Sequence, residues 1–394
     1  MKKKVLIYSS NFPFGRGEEF MANEINELAK QNIELTLVPN FIRGEKKQNL
    51  NPAVHIDYSL SHLFKNKVKL ALQVVFLSNF VLALIAFYLK KPATLFKPFF
   101  IKYFFGLSAF QLWVKQTSPK ADIHLSVWFN YRVHALINSR KTGFLEGKII
   151  SRAHGYDIYE ERFNKGEFWP NRQEIVDEID WVLPISENGA KYLGKKYGQQ
   201  HKIKAIYLGV LPFGARIQSA TGVHFVSCSS AIPLKRLDLI QNYILEYATK
   251  YTDQQVKWSH IGADTFYTES KSNLPSNFTF NNVGYVENSA LRKKMLDLNA
   301  NIFINLSDTE GIPVTIMEAQ SIGVPAIARN IGGISEIVTT SNGSLLPPFP
   351  TFEDFEKGVS SILNNYTSKS EASLATFTTQ FNSVNNATAL FQIF

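Results

Sequence analysis

The 394-residue chain has one cysteine, Cys228. That excludes a disulfide framework and a cysteine-based zinc site, and it fits a reducing compartment. No leader is legible: in MKKKVLIYSSNF the apolar run after the lysines is short and meets Ser9, Ser10 and Asn11 at once. A cytoplasmic location is therefore expected. No short-period repeat or low-complexity tract occurs, and a 45% hydrophobic share excludes a largely disordered chain. His124, His134, His201, His224 and His260 form no ligand-like cluster, so neither a metal nor another cofactor is expected. The sharpest local lack is of acid. Residues 58–120 contain no Asp, Glu or Arg but nine Lys, which equals the net charge of +9, so the remaining residues balance. The same segment holds 14 aromatic residues. Nucleic-acid binders lean on arginine and polar faces, whereas lysine interleaved with Phe, Leu and Trp suits anionic lipid. An anionic membrane surface is the expected partner, and nucleic acid is not.

Short apolar runs alternate with amphipathic stretches, which is the α/β signature. Strands are expected at 5–9, 34–38, 123–127, 148–152 and 181–185, then at 223–228, 256–261, 278–283, 302–306 and 324–328. Several are apolar without alternation, as strands covered on both faces are. Helices fit between them, at 18–31, 237–251, 289–298 and 314–322 among others. Two Rossmann-like halves follow, with a boundary in the Gly-rich stretch 209–222. The expected domains are 1–208, 209–375 and a helical tail at 376–394 that could pack back on the first domain. The chain after Thr351 is mostly helical in pattern, with the polar run TSKSEAS expected to break it.

Residues 70–89 carry no charge over 20 positions, enough for roughly 30 Å of helix. A single crossing would place strand 5–9 and strands 123–185 on opposite sides of a bilayer, although both belong in one sheet. A second crossing at 93–114 would bury Lys97 and Lys102, at about 3 kcal/mol each near the centre. A helix or helical pair lying on the membrane avoids both problems. A core helix pair and a true span remain as alternatives.

Four stretches carry candidate chemistry. In INLSDTEGIPVTIMEAQ a strand gives way to a loop, with Pro313 expected at the first helical position. Free backbone N–H groups and the helix dipole suit a diphosphate there. Glu310 and Glu318 lie at different depths around the same spot, and a carboxylate accepts hydrogen bonds from paired sugar hydroxyls. A capped helix with two solvated glutamates fits the spacing equally well. In FVSCSSAIPLKRLDLI, Lys235 and Arg236 follow a buried strand, where cations can face a phosphate; two solvated surface bases are the plain alternative. In SSNFPFGRGEEF, Gly15 and Gly17 allow close backbone approach before a helix, but the dinucleotide fingerprint is incomplete. In SRAHGYDIYEERF, His154 ends a strand with Arg152 and Asp157 nearby, so it could bind a sugar or phosphate, move a proton, or serve structure alone.

Together these stretches resemble family 4 glycosyltransferases, the retaining GT-B enzymes that use nucleotide-sugar donors. The Glu-x7-Glu motif stands as EGIPVTIME, Glu310 to Glu318, and the glycine and glutamate after the next strand stand as GGISE, Gly332 to Glu336. PFGRGEEF resembles the N-terminal glycine loop and AHGYD the acceptor-side His-Gly motif. The likeness covers most of residues 5–338 and is weakest over 53–120. It implies two Rossmann-like domains whose parallel sheets face across a cleft. It implies that Glu318 holds the donor ribose, that Glu310 with Gly311, Ile312, Pro313 and Val314 positions sugar and diphosphate, and that Lys235 contacts the diphosphate. Ser230 stands where the family has an arginine, so Lys235 acts alone, or Arg236 or a distant base substitutes. His154 resembles the histidine near the transferred sugar, with Asp157 and Arg152 on the acceptor side, and Gly15 and Gly17 the glycines near the diphosphate. The expected activity is sugar transfer to a lipid-linked or membrane-associated glycan, in polysaccharide or lipopolysaccharide synthesis, on the cytoplasmic membrane face. A GT-B-shaped phosphorylase or epimerase, or an inactive membrane-bound scaffold, is the alternative.

Overall fold

A computed structural model of the chain describes residues 2–46, 49–95, 97–162, 167–214, 222–262 and 274–394. It divides into two compact units: residues 1–206 with 387–394, and residues 207–386. The stretch 215–221, part of the expected boundary, lies outside the described residues.

The first unit is built on β1 (Lys3–Ser9), β2 (Ile33–Pro39), β3 (Val54–Ile56), β4 (Ile123–Ser126), β5 (Lys148–Ala153) and β6 (Trp181–Pro184). All pairs are parallel, in the order β3-β2-β1-β4-β5-β6. Val5 therefore sits between Leu35 and Ile123. Helices cover both faces, which is why these strands read as apolar runs. One core layer joins Val5, Ile7, Leu35 and Ile123 to Ala387, Leu390 and Phe394 from the far end of the chain. Lys3 Nζ donates to the Phe394 carbonyl at 2.9 Å.

The second unit repeats the plan with β7 (Val223–Cys228), β8 (Val256–Ile261), β9 (Phe278–Gly284), β10 (Ile302–Asn305), β11 (Ala326–Arg329) and β12 (Gly343–Leu346). The order is β12-β11-β10-β7-β8-β9, again all parallel. In each unit the order reverses between the first and fourth strands, β1/β4 and β7/β10. Loops leaving the carboxyl ends of those strands diverge there and leave a crevice.

All ten expected strands are present. β3 and β12 were not anticipated, being short edge strands with polar residues in their runs. The uncharged stretch 70–89 is not one helix. Helices Lys67–Leu77 and Phe80–Lys90 meet at 70°, and among the described residues no single helix is long and apolar enough to cross a membrane. The break has a local cause. Ser78 is extended, its hydroxyl donates back to the Val74 carbonyl, and it accepts the Phe80 N–H at 3.2 Å. The stretch 93–114 forms most of helix Pro98–Thr117, whose Phe110 and Trp113 pack edge-on to Tyr8 in the core. TSKSEAS does not break the helical stretch after Thr351, for helix Tyr366–Gln380 runs through it. Its polar side chains are satisfied inward: Lys369 Nζ donates to the Gly343 carbonyl at 2.9 Å and Ser373 Oγ to the Asn342 carbonyl at 2.8 Å.

Candidate functional site

In the second unit the loops after β7 and β10 meet at the switch point. Asp308 N–H donates to the Leu234 carbonyl at 2.9 Å, and Arg236 reaches Asp308 at 3.2 Å. Between these ties, Lys235 Nζ lies 2.6 Å from Glu310 Oε1, both side chains being largely shielded. The structure thus joins two of the expected site residues directly. Arg236, in left-handed backbone conformation, turns instead to Asp238 and Asp308. Ser230 is exposed near the end of β7. Asp308 is also clamped by buried Arg329 at 2.6 Å, so the loop is anchored from the β11 side.

Helix Val314–Gln320 begins at the expected residue, but Pro313 stands just outside it in extended conformation rather than at its first position. Proline fits there because it has no N–H to satisfy and its ring pre-sets the turn into the helix. Gly311, Ile312 and Pro313 are buried. The loop is backed by Gly332 and Gly333. Gly333 N–H donates to the Gly311 carbonyl at 2.8 Å, and a Cβ on Gly332 (φ +54) would stand 2.1 Å from the Glu310 carbonyl oxygen. Gly332→Ala is therefore expected to lose about 2–3 kcal/mol of stability in urea unfolding. A variant as stable as the parent would contradict this account of the loop.

Glu318 is 2% exposed. Asn288 Nδ2 donates to its Oε1 at 2.9 Å, while Oε2 is buried with no partner among the described residues. Burial pushes the carboxyl up to about 8, with Arg292 and Asn288 opposing. Arg292 is one helical turn beyond Asn288 on helix Asn288–Leu298, and its guanidinium also donates to the Leu211 carbonyl. Burial pushes the Cys228 thiol, at the end of β7, well up; the Glu318 carboxylate adds to this and Lys235 opposes it. Glu318 and Lys235 therefore act on the same end of the sheet. Asn288 and Arg292 were not anticipated. Their only signal is an i, i+4 polar pair at the start of a helix after β9.

In the first unit Gly15 and Gly17 both have positive φ, and a Cβ on Gly15 would strike the Arg43 carbonyl at 2.5 Å. Helix Met21–Leu28 starts later than expected, and Glu18 outside it serves the loop. Its carboxylate accepts N–H groups from Ser10, Asn11 and Phe12 at 2.9, 2.6 and 2.8 Å, and the Trp128 indole N–H at 2.5 Å. His154 packs between Phe20 and Trp128, each ring 4.9 Å away. Burial pushes it down to about 3, with the Arg152 guanidinium adding to the effect, so it is neutral. Its Nε2 is buried without a partner among the described residues. Asp157 caps the short helix after His154, accepting the His154 N–H at 2.6 Å and the Phe129 N–H at 2.6 Å. Burial holds its carboxyl near 7, against Arg172. Arg152 is 1% exposed and faces Glu24 at 3.1 Å, a buried ion pair rather than an open binding group. Among the described residues no His, Cys, Asp or Glu group could hold a metal ion.

Residues 267–379 match the family described as glycosyl transferases group 1. The "Putative colanic acid biosynthesis glycosyltransferase WcaL" of Escherichia coli (strain K12) is 28% identical over 225 residues, 53% of this chain and 53% of that protein. Its namesake in Salmonella typhimurium is 28% identical over 223 residues, with the same coverage. The chain thus spans about half the length of the curated relatives it matches. Among solved structures, TarM superposes with a TM-score of 0.70 at 13% identity, covering 100% of this chain and 99% of that one. The lipopolysaccharide outer core galactosyltransferase WaaB, in its apo form, gives 0.67 at 14%, covering 99% and 100%. Anabaena Alr3699/HepE in complex with UDP gives 0.65 at 14%, covering 99% and 98%. The chain therefore has the two-Rossmann GT-B fold of these structures, and the match to glycosyl transferases group 1 lies within its second unit.

Proposed function

We propose that this protein is a retaining glycosyltransferase of the family 4 type. It would move a sugar from a nucleoside diphosphate donor to a lipid-linked or membrane-associated glycan, in polysaccharide or lipopolysaccharide synthesis. The observation that carries the reading is Glu318, a buried carboxyl at the switch point with one oxygen held by Asn288 and the other unpartnered. Buried acceptors are satisfied in working proteins, and the paired hydroxyls of a ribose supply donors of the right kind. Lys235 then lies on the diphosphate side, where it stabilises the charge that grows on the leaving group. Glu310, which holds Lys235 in the empty protein, orients the sugar. The transferred group leaves the donor and meets the acceptor hydroxyl on one face, the departing phosphate taking the hydroxyl's proton. No step in this scheme is routed through a metal. His154, neutral at working pH, offers Nε2 to a sugar hydroxyl. The UDP complex of HepE supports the donor class, and the colanic acid and lipopolysaccharide outer core named for WcaL and WaaB support the acceptor class.

The test is transfer from UDP-, GDP- and ADP-sugars to a membrane lipid extract, with the product's anomeric configuration read by NMR. Release of nucleoside diphosphate with retained configuration is expected. Release of sugar phosphate would mark a phosphorylase. Exposed Ser230, at the family's arginine position, favours an inactive scaffold as the second reading, and nucleotide binding without turnover would establish it.

We also assign residues 58–120 to an anionic membrane surface on the cytoplasmic side. In support, helices Lys67–Leu77 and Phe80–Lys90 bury only Leu70, Val74 and Phe87 and leave Phe76 76%, Leu82 68% and Leu89 80% exposed, beside lysines at both ends. An apolar face of that size with a lysine rim matches a headgroup boundary, at about 1 kcal/mol per lysine near the surface. In flotation with phosphatidylserine vesicles the parent chain should rise with the lipid. Replacing Phe76, Leu82 and Leu89 with serine should leave it at the bottom, and equal flotation would contradict the assignment.

A further inference from the structure

We propose that Arg292 is a positioning residue that acts through Glu318. It is the counter-ion that lets Glu318 take on charge when a ribose arrives, and it ties that event to residues 207–213, the segment by which the chain enters the second unit. This rests on the glycosyltransferase reading of Glu318 and deepens it. Helix Asn288–Leu298 carries Asn288 and Arg292 one turn apart, on the same face. Asn288 Nδ2 holds Glu318 Oε1 at 2.9 Å, so this end of the helix is turned to the carboxyl. Arg292, half-buried one turn on, donates to the Leu211 carbonyl, and its guanidinium lies 4.8 Å from the centre of the Phe213 ring.

A carboxylate as buried as Glu318 ionises only against a cation. The other cations near the site are engaged elsewhere. Lys235 is held by Glu310, Arg236 by Asp238 and Asp308, and Arg329 by Asp308. Lys369, on the helix that packs on Val314–Gln320, turns to the Gly343 carbonyl. Cys228 on β7 is a further titratable neighbour, and burial pushes its thiol well up, so it stays neutral. Among the described residues Arg292 has no carboxylate within ion-pair distance. Burial pulls its guanidinium down, and the charge opposing that is the Glu318 carboxylate.

The segment that Arg292 grips is closely built in. Val210 N–H donates to the Phe381 carbonyl at 3.0 Å, and Ser383 N–H donates to the Val210 carbonyl at 3.1 Å. A Cβ on Gly209 would stand 2.5 Å from the Ser383 nitrogen, so the close approach needs glycine. Asn386 Nδ2 donates to the Leu208 carbonyl at 2.9 Å. The Tyr207 hydroxyl donates at 2.9 Å to Glu336 Oε2, in the loop that backs Glu310. The chain leaves the first unit after Ile206 and returns to it at Ala387. Residues 207–213 thus join both crossings to the surroundings of Glu310 and Glu318. An ionised Glu318 would fix the Arg292 guanidinium from its other side and so stiffen its hold on Leu211.

The test is a double-mutant cycle with UDP, measured by calorimetry on the full chain across pH. Arg292→Met should raise the UDP Kd about tenfold at pH 7, with little further loss when it is added to Glu318→Gln. In the parent the affinity should climb with pH and level off near 8, where Glu318 titrates. In Arg292→Met the climb should continue to higher pH. Arg292→Lys keeps the charge and should recover most of the lost affinity. Hydrogen exchange at residues 207–213 should slow on UDP binding in the parent and not in Arg292→Met. An unchanged Kd in Arg292→Met, or an equal loss in the Glu318→Gln background, would overturn the counter-ion role. Slowed exchange that survives in Arg292→Met would overturn the tie to the segment. Urea unfolding of the empty chain reads the same pair without nucleotide: the alkaline loss of stability should reach higher pH in Arg292→Met, and a parental profile would overturn the role. Parental UDP affinity in Glu318→Gln would instead remove the donor-site reading, with the unfolding profiles still deciding whether Arg292 supports the charge on Glu318.

Discussion

Replacing Glu318 with glutamine is expected to weaken nucleoside diphosphate binding by about 100-fold while making the empty protein more stable at alkaline pH. The first effect follows from losing charged hydrogen bonds to ribose hydroxyls, worth about 1.5–3 kcal/mol each. The second follows from the sign of the shift. The folded carboxyl titrates at about 8 against an ordinary 4.5, because burial disfavours its charge. Between those values the folded protein holds a proton that the unfolded chain has released. Stability present below about pH 4.5 is therefore lost as pH rises toward 8, at up to about 1.4 kcal/mol per unit. Glutamine has no such charge to bury. Urea unfolding at pH 5 and pH 8 should show the variant gaining on its parent as pH rises. A constant difference would mean that Glu318 is ionised throughout. Binding carries the same signature, because the ionised form accepts both hydroxyls. Nucleotide binding below pH 8 should release a proton, visible as a buffer-dependent heat in calorimetry.

The ion pair between Lys235 and Glu310 gives the second large effect, and its two halves should separate. Lys235→Ala removes the charge that meets the leaving diphosphate and should lower transfer by about 10²–10³-fold. Glu310→Gln removes the group that competes for that cation in the empty protein. A partly shielded pair of this kind contributes about 1 kcal/mol. Free UDP should therefore bind Glu310→Gln about 3–10-fold more tightly than the parent, even as kcat falls through loss of sugar positioning. Weaker UDP binding by Glu310→Gln would show that Glu310, not Lys235, is the nucleotide contact.

Much of this architecture was legible before any coordinates, and the failures have physical causes. Apolar runs such as 223–228 marked strands covered on both faces, and their spacing marked the helices between. β3 escaped because Val54, His55 and Ile56 make three residues at a sheet edge, too short for a period. The uncharged stretch 70–89 concealed a break, because hydropathy does not register a Ser78 hydroxyl that closes one helix and opens another. TSKSEAS suggested a loop because Lys369 and Ser373 are polar, yet their partners are carbonyls about 30 residues earlier in the chain. The Lys235–Glu310 contact was half visible, both residues having been picked out without their pairing. Asn288 and Arg292 were invisible for the same reason as Lys369: their importance lies in what the fold places opposite them.

A crystal structure with UDP bound tests the central claim most directly. The ribose hydroxyls should lie within hydrogen-bond distance of Glu318, now filling its unpartnered oxygen, with the diphosphate against Lys235 and the backbone at Val314. A nucleotide bound elsewhere, or bound here with Glu318 still closed only on Asn288, would contradict it.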